Sequence, residues 1–239
     1  NMKITLPDNS SRELPEGSSG YDLARDIGPG LAKSAVAISV DGVQRDLHDV
    51  IKGDASVSII TIDSDEGIEI MRHTLTAQVL ARAIKKLYPK SKLAIGPTID
   101  DGFYYDVESD QSISSDDLSR IEDEMKKIIK TKSSITKKLV TKSEALDVFK
   151  ENKESYKVEI VNESKQKNNF QLYYQDDKKF VDLCRGPHLP SLEFIGSFKL
   201  TKVSGAYWKG DSANAMLTRI YGTAFNNDKD LQSHLNNIE

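Results

Sequence analysis

The spacing of apolar positions changes several times along the chain, and each change marks an element. Met2 to Leu6 alternates with period two, Asp8-Asn9 turns the chain, and Arg12 to Pro15 reads as the returning strand. Tyr21 to Ile27 reads as a short helix with Ser18 or Ser19 as its N-cap, ended by Gly28-Pro29-Gly30. Ala35–Val40, Val43–Leu47 and Val57–Ile62 supply further strands, the first two joined by the tight turn Asp41-Gly42. A sheet of this length around one helix is a β-grasp pattern. Asp63 to Gly67 reads as a linker. Val79, Leu80, Ala83, Ile84 and Leu87 then recur at helical spacing until Pro89 stops them. Ile99 to Val107 reads as a hairpin about Asp101-Gly102. Leu118, Ile121, Met125, Ile128 and Ile129 make the apolar face of a second helix, capped by Ser114-Ser115. Residues 135–140 read as a strand, and Ser143 caps a helix through Phe149. Tyr156–Val161, Leu172–Tyr174, Phe180–Leu183, Phe198–Val203, Ala206–Trp208 and Met216–Phe225 read as strands of one mostly antiparallel sheet. A final helix starts at Asp228. The class is therefore α+β.

Composition bounds what this fold can do. The chain has 239 residues, 38% apolar and 29% charged, with a net charge of −4, as expected of a globular protein. No apolar run reaches membrane-spanning length and no basic-then-apolar leader precedes Ile4, so neither a membrane partner nor export is expected. The single cysteine excludes an internal disulfide framework and suits a reducing cytosol. Lys126, Lys127, Lys130, Lys132, Lys137, Lys138 and Lys142 form a run with no acid among them. Such a run reads as a solvated helix face or as phosphate contacts. The first 62 residues carry no phosphate loop and no acid pair, and His48 reads as a surface histidine.

Chemistry concentrates in Val181-Asp182-Leu183-Cys184-Arg185-Gly186-Pro187-His188. Gly186-Pro187 blocks a regular helix between the thiol and the imidazole, so both can be aimed into one cavity. Spacing alone leaves four readings open. The turn can be structural with a buried Cys. With His73 it can hold zinc or position a water, or Cys184 and His188 can form a nucleophile pair.

Several separated segments, in order, resemble the N-terminal half of bacterial threonyl-tRNA synthetase. They are Ile27-Gly28-Pro29-Gly30-Leu31-Ala32-Lys33, Ile95-Gly96-Pro97, Gly102-Phe103-Tyr104-Tyr105-Asp106, Glu154-Ser155-Tyr156-Lys157-Val158, the turn from Asp182 to His188, Ala206 to Ser212, and Leu217 to Ala224. The resemblance implies a ubiquitin-like TGS domain of β-grasp fold over residues 1–63 and an editing domain over 64–226. Residues 227–239 would begin a linker helix to an absent aminoacylation domain. It implies hydrolysis of serine wrongly esterified to threonine tRNA, in the cytoplasm. It also implies a monomeric fragment of an enzyme that is a homodimer when whole. The need is physical. Serine lacks one methyl of threonine, a difference worth only about 1–3 kcal/mol in a pocket, so a second site must remove it.

Residue by residue, the resemblance assigns His73 to the first histidine of an H-x-x-x-H helix start, and Cys184 and His188 to the C-x-x-x-H turn. Asp182 takes the acid two residues before the cysteine, and Lys157 the lysine of Ser-Tyr-Lys, read as a strand. Tyr105 lines the serine pocket, and Gly96 is the backbone approach point beside the substrate. The second histidine is missing: the chain reads His73-Thr74-Leu75-Thr76-Ala77-Gln78. Counted back from the helix, Thr74 and Gln78 take the paired positions; counted forward, Ala77 replaces the partner. On a regular helix about 140° separates His73 from Gln78. They converge only if His73 precedes the helix or the extra residue forms a bulge. Without the second histidine a four-ligand zinc site is not expected, and no cofactor is expected. The expected reaction is metal-independent and uses a positioned water. His73 or Lys157 orients or deprotonates it, Asp182 anchors the substrate's ammonium or holds Lys157, and Cys184 and His188 shape the pocket and contact the terminal ribose. The alternative is a decayed module that binds the tRNA acceptor end without hydrolysis.

Overall fold

The computed structural model describes residues 1–238, and the α+β expectation holds. The first unit is β1 (Met2–Thr5), β2 (Ser11–Leu14), α1 (Gly20–Ile27), α2 (Pro29–Ser34), β3 (Ala35–Val40), β4 (Val43–Asp46) and β5 (Ala55–Thr61). Its sheet runs β2-β1-β5-β3-β4, with β1 parallel to β5 and the other pairs antiparallel. This is a β-grasp sheet. Ser19, not Ser18, caps α1, in a capping box with Asp22. Asp41 and Gly42 both take positive φ, as a two-residue hairpin turn requires. Leu23, Ile4, Ile38 and Leu47 fill the core between α1 and the sheet.

The second unit starts earlier than the composition suggests. Ser64 caps a helix already begun at Asp65, so the tail of the expected linker, Asp65–Gly67, is helical. That helix, α3 (Asp65–Thr74), runs through a π-helical stretch (Leu75–Leu80) into α4 (Ala81–Leu87). There follow β6 (Lys92–Leu93), β7 (Thr98–Ile99), β8 (Gly102–Glu108), α5 (Leu118–Lys130), β9 (Ile135–Val140), α6 (Lys142–Glu151) and α7 (Ser155–Glu163). The chain closes with β10 (Phe170–Gln175), β11 (Val181–Leu183), β12 (Ser197–Tyr207), β13 (Met216–Phe225) and α8 (Asp228–Asn237).

Three expectations are corrected here. The strands form two antiparallel sheets, not one: β11-β10-β9, and β12-β13-β8-β6 with β7 beside β8. Thr141, not Ser143, caps α6, with Glu144 completing the box. Residues 156–161 are helix α7, not a strand. Val158 and Val161 pack on one apolar cluster while Tyr156 and Ile160 pack on another. A helix buried on two sides places apolar residues almost as often as an alternating strand does.

The main core lies between the two sheets and the long helix, around Met71, Leu75, Leu80, Ile84, Phe103, Tyr105 and Ile220. Val36, Ala37 and Ile60 of the β-grasp sheet belong to that same cluster, so the two units share apolar packing. No described helix is long and apolar enough to cross a membrane.

Candidate active site

The site forms where the end of α3 meets the turn after β11. His73 stands in the last turn of α3, and the chain then widens: the Ala81 N–H reaches back to Thr76 O. This π-turn is the bulge that absorbs the extra residue. It lets α3 aim His73 and Thr74 at the turn while α4 keeps its apolar face in the core.

The turn arrives on β11, an edge strand of the three-stranded sheet. His73 Nε2 lies 2.7 Å from Cys184 Sγ, and the His73 and His188 rings stack at 4.6 Å, 6° from parallel. Thr74 Oγ1 accepts the Leu189 N–H at 3.0 Å and lies 2.9 Å from His188 Nδ1. No other acceptor among the described residues is within reach of the Thr74 hydroxyl, so its proton is assigned to Nδ1 and the His188 proton to Nε2. Gly186 has φ +66, and a Cβ there would stand 2.0 Å from Tyr173 Oη, so the turn closes only with glycine.

Beneath this cluster Lys157 Nζ and Asp182 Oδ1 form an ion pair at 2.9 Å, with both side chains under 5% exposed. Asp182 Oδ1 also accepts the Leu183 N–H. Helix α7, which carries Lys157, is held from outside: Trp208 Nε1 donates to Glu159 at 2.6 Å and Tyr156 Oη to Glu108 at 2.9 Å. Trp208 thus packs and braces, as its place between strands suggests. Lys157 Nζ sits 5.8 Å from the Tyr105 ring centroid. Tyr105 packs against Gly96, where a Cβ would come within 2.2 Å of its ring. Lys157, Leu183 and Cys184 reach the wall of a cleft of about 890 Å³, whose rim carries the cations Lys165 and Arg185.

Burial sets the charge states. It lowers His73 to about 4, helped by the charge on Lys157. It lowers His188 well below its ordinary range, helped by His73. It pushes the Cys184 thiol up to about 12, against the Gly186 N–H that points at the sulfur. It also raises Asp182, against the attraction of Lys157. At neutral pH the cluster therefore presents two neutral imidazoles and a protonated thiol. A protonated thiol is a poor nucleophile, which disfavours an acyl-enzyme on Cys184. Two buried polar atoms of the site, Tyr105 Oη and His188 Nε2, have no partner among the described residues. Leaving such groups unpaired costs about 1–3 kcal/mol each, so they mark where a ligand can bond.

The donors of His73, Cys184 and His188 all lie within 4.8 Å of one another. A tetrahedral zinc would hold its nitrogen and sulfur ligands about 3.5 Å apart. The observed 2.7 Å is closer than that, so as placed the imidazole and the thiol pair with each other and would have to part to hold a metal.

His73, Cys184, His188, Lys157, Asp182, Tyr105 and Gly96 thus come together, and Thr74 joins them as a buried support for His188. Gln78 does not join in the same way. Its amide oxygen accepts from Gln175 Nε2 at 3.2 Å, and its own nitrogen has no partner. The bulge is present, and the only side-chain partner of the Gln78 amide among the described residues is Gln175, not His73 or His188. Sequence reading passed over Tyr173, whose ring meets His188 edge-on at 4.6 Å, and Asp46, which accepts the His188 N–H at 3.0 Å. Neither carries a motif; only the docking of the two units brings Asp46 here.

Two family models match the chain: the TGS domain over residues 2–61, and the threonyl and alanyl tRNA synthetase second additional domain over residues 171–221. Among curated proteins the chain is similar to the threonine–tRNA ligase of Hahella chejuensis, at 49% identity over 236 residues. The match covers 99% of this chain and 37% of that relative.

Proposed function

From the premise that this chain carries the TGS and second additional domains of the threonyl-tRNA synthetase family, we propose that it is a proofreading deacylase acting on seryl-tRNA(Thr). The division at 1–63, 64–226 and 227–239, a cytoplasmic setting and a homodimeric whole enzyme belong to the same reading.

One observation carries it. His73 on α3 meets Cys184 and His188 of the turn, the buried Lys157–Asp182 pair lies close by, and Cys184 and Lys157 reach the wall of a cleft that Lys165, Arg185 and Glu163 also line. The cleft admits the terminal nucleotide, and Arg185 and Lys165 meet its phosphates. Asp182 anchors the α-ammonium of the amino acid. The serine side chain is placed beside Gly96, where the Tyr105 ring leaves no space even for a Cβ on the glycine, and an added methyl is refused there.

Hydrolysis needs a water held against the ester carbonyl. A histidine lowered to about 4 is a weak base near neutral pH. His73 and His188 therefore act as neutral hydrogen-bonding groups that fix the water and the ribose. The ribose 2′-hydroxyl helps the water attack. Lys157 supplies positive charge where the oxyanion develops. No step uses a metal or a covalent intermediate on Cys184.

A second reading rests on Gln78, whose amide is engaged with Gln175 where the family pattern calls for a histidine. On that reading the fold binds the acceptor end without cleaving it. Incubation with seryl-tRNA(Thr) and threonyl-tRNA(Thr), with and without a chelator, separates the two. Selective loss of serine that survives chelation is expected. Binding without hydrolysis would favour the second reading, and activity abolished by the chelator would overturn the metal-free mechanism.

A further inference from the structure

The β-grasp unit reaches the site through one side chain. Asp46, the last residue of β4, crosses to the turn. Its Oδ1 accepts the His188 N–H at 3.0 Å, and its Oδ2 accepts from Tyr173 Oη at 2.8 Å. Lys137 Nζ lies 3.2 Å from Oδ2, and the Asp46 side chain is only 14% exposed. Tyr173, held in this way, does two things. Its ring stands at 90° to the His188 imidazole, and its hydroxyl fills the space that keeps residue 186 a glycine. One carboxylate from a separate unit therefore fixes the backbone of His188, the ring beside its imidazole and the bend before it.

We infer that Asp46 is a positioning residue for the deacylation site, so that the β-grasp unit completes that site and does not merely accompany it. The effect on rate rests on the deacylase reading; the effect on His188 does not.

The plain alternative is that Asp46 only docks the two units. Asp49 separates the cases. It shares Lys137 with Asp46, at 2.8 Å, but its side chain makes no hydrogen bond to the 184–188 turn. It is a docking acid without a link to His188. Asparagine at 46 keeps an acceptor for the His188 N–H, while alanine removes both links.

The test uses the full chain, labelled with nitrogen-15 in histidine. Single-turnover hydrolysis of seryl-tRNA(Thr) is measured across enzyme concentration, and the imidazole nitrogens of His188 are followed by NMR. Asp46→Ala should lower the saturated rate about tenfold or more, leave the half-saturating concentration within about twofold, and move the His188 signals. Asp46→Asn should recover most of the rate, and Asp49→Ala should change neither readout. Unmoved His188 signals with an unchanged rate in Asp46→Ala would overturn the inference, as would an equal loss in Asp49→Ala. Should Asp46→Ala not fold, Tyr173→Phe carries the test with the same two readouts. If the wild-type chain leaves seryl-tRNA intact, the deacylase reading fails, and the His188 signals alone decide the role of Asp46.

Discussion

Lowering the pH should unfold this protein by way of its buried histidines. His73 ionises near 4 when folded and near 6.5 when free, because burial and Lys157 oppose its charge. The unfolded chain therefore binds the proton more readily, and stability must fall as pH drops from about 6.5 towards 4. Integrating the linkage, the loss from His73 alone is about 2 kcal/mol at pH 5 and about 3 kcal/mol at pH 4. His188 is shifted in the same direction and adds to it. The buried carboxyl groups Asp46, Glu154 and Asp182 are shifted upward and act oppositely. They are present in both proteins compared and largely cancel. Urea unfolding at about pH 7.5 and about pH 5, for wild type and His73→Gln, isolates the histidine term if the denaturant slopes agree. The variant should lose about 2 kcal/mol less than wild type over that interval. Relief of His188 from the neighbouring charge acts in the same direction. If the two proteins lose stability equally to within about 0.5 kcal/mol, His73 is not held neutral by burial and the chemical reading built on that fails. The corollary is kinetic: between about pH 6 and 8 no histidine-protonation step should appear in the deacylation rate.

Two further outcomes follow from the buried contacts. Asp182→Asn strands the Lys157 ammonium in a site almost closed to water and should cost about 3–5 kcal/mol in urea unfolding. The double variant Lys157→Met/Asp182→Leu should lose much less than the sum of its single changes, and additivity would show that the pair is not coupled. Gln78→Ala removes the side-chain acceptor of Gln175 Nε2 and leaves the backbone oxygen of residue 78 as its other one. It should cost about 1–3 kcal/mol of stability while leaving seryl-tRNA hydrolysis within about threefold; a hundredfold loss of rate would put the amide in the reaction.

Much of this molecule could be read from local pattern. The β-grasp strands, the Asp41-Gly42 turn, the α1 and α5 apolar faces and the hairpin about Asp101 depend on period and turn chemistry, which lie within a few neighbouring residues. The residues of the candidate site were legible as well, since those around His73, Lys157 and Cys184 stand in short motifs. Where local pattern misled, tertiary packing was responsible. Helix α7 alternates like a strand because it buries two faces, against Phe149 and Phe170 on one side and Trp208 on the other. The extra residue after His73 left two registers open, and the chain resolved them with a π-turn, since α3 and α4 must each keep their own apolar face on the core.

Side-chain chemistry and spacing thus determined which groups are available: an imidazole, a thiol, an ion pair, a glycine-bent turn. Which of them meet, and in what protonation state, was decided only by tertiary structure. His73 and Cys184 are 111 residues apart, and Asp46 and His188 are 142 apart. Such contacts depend on how whole elements dock. The pKa shifts follow from the same cause, because exclusion of water is a property of the closed cavity and not of any one residue.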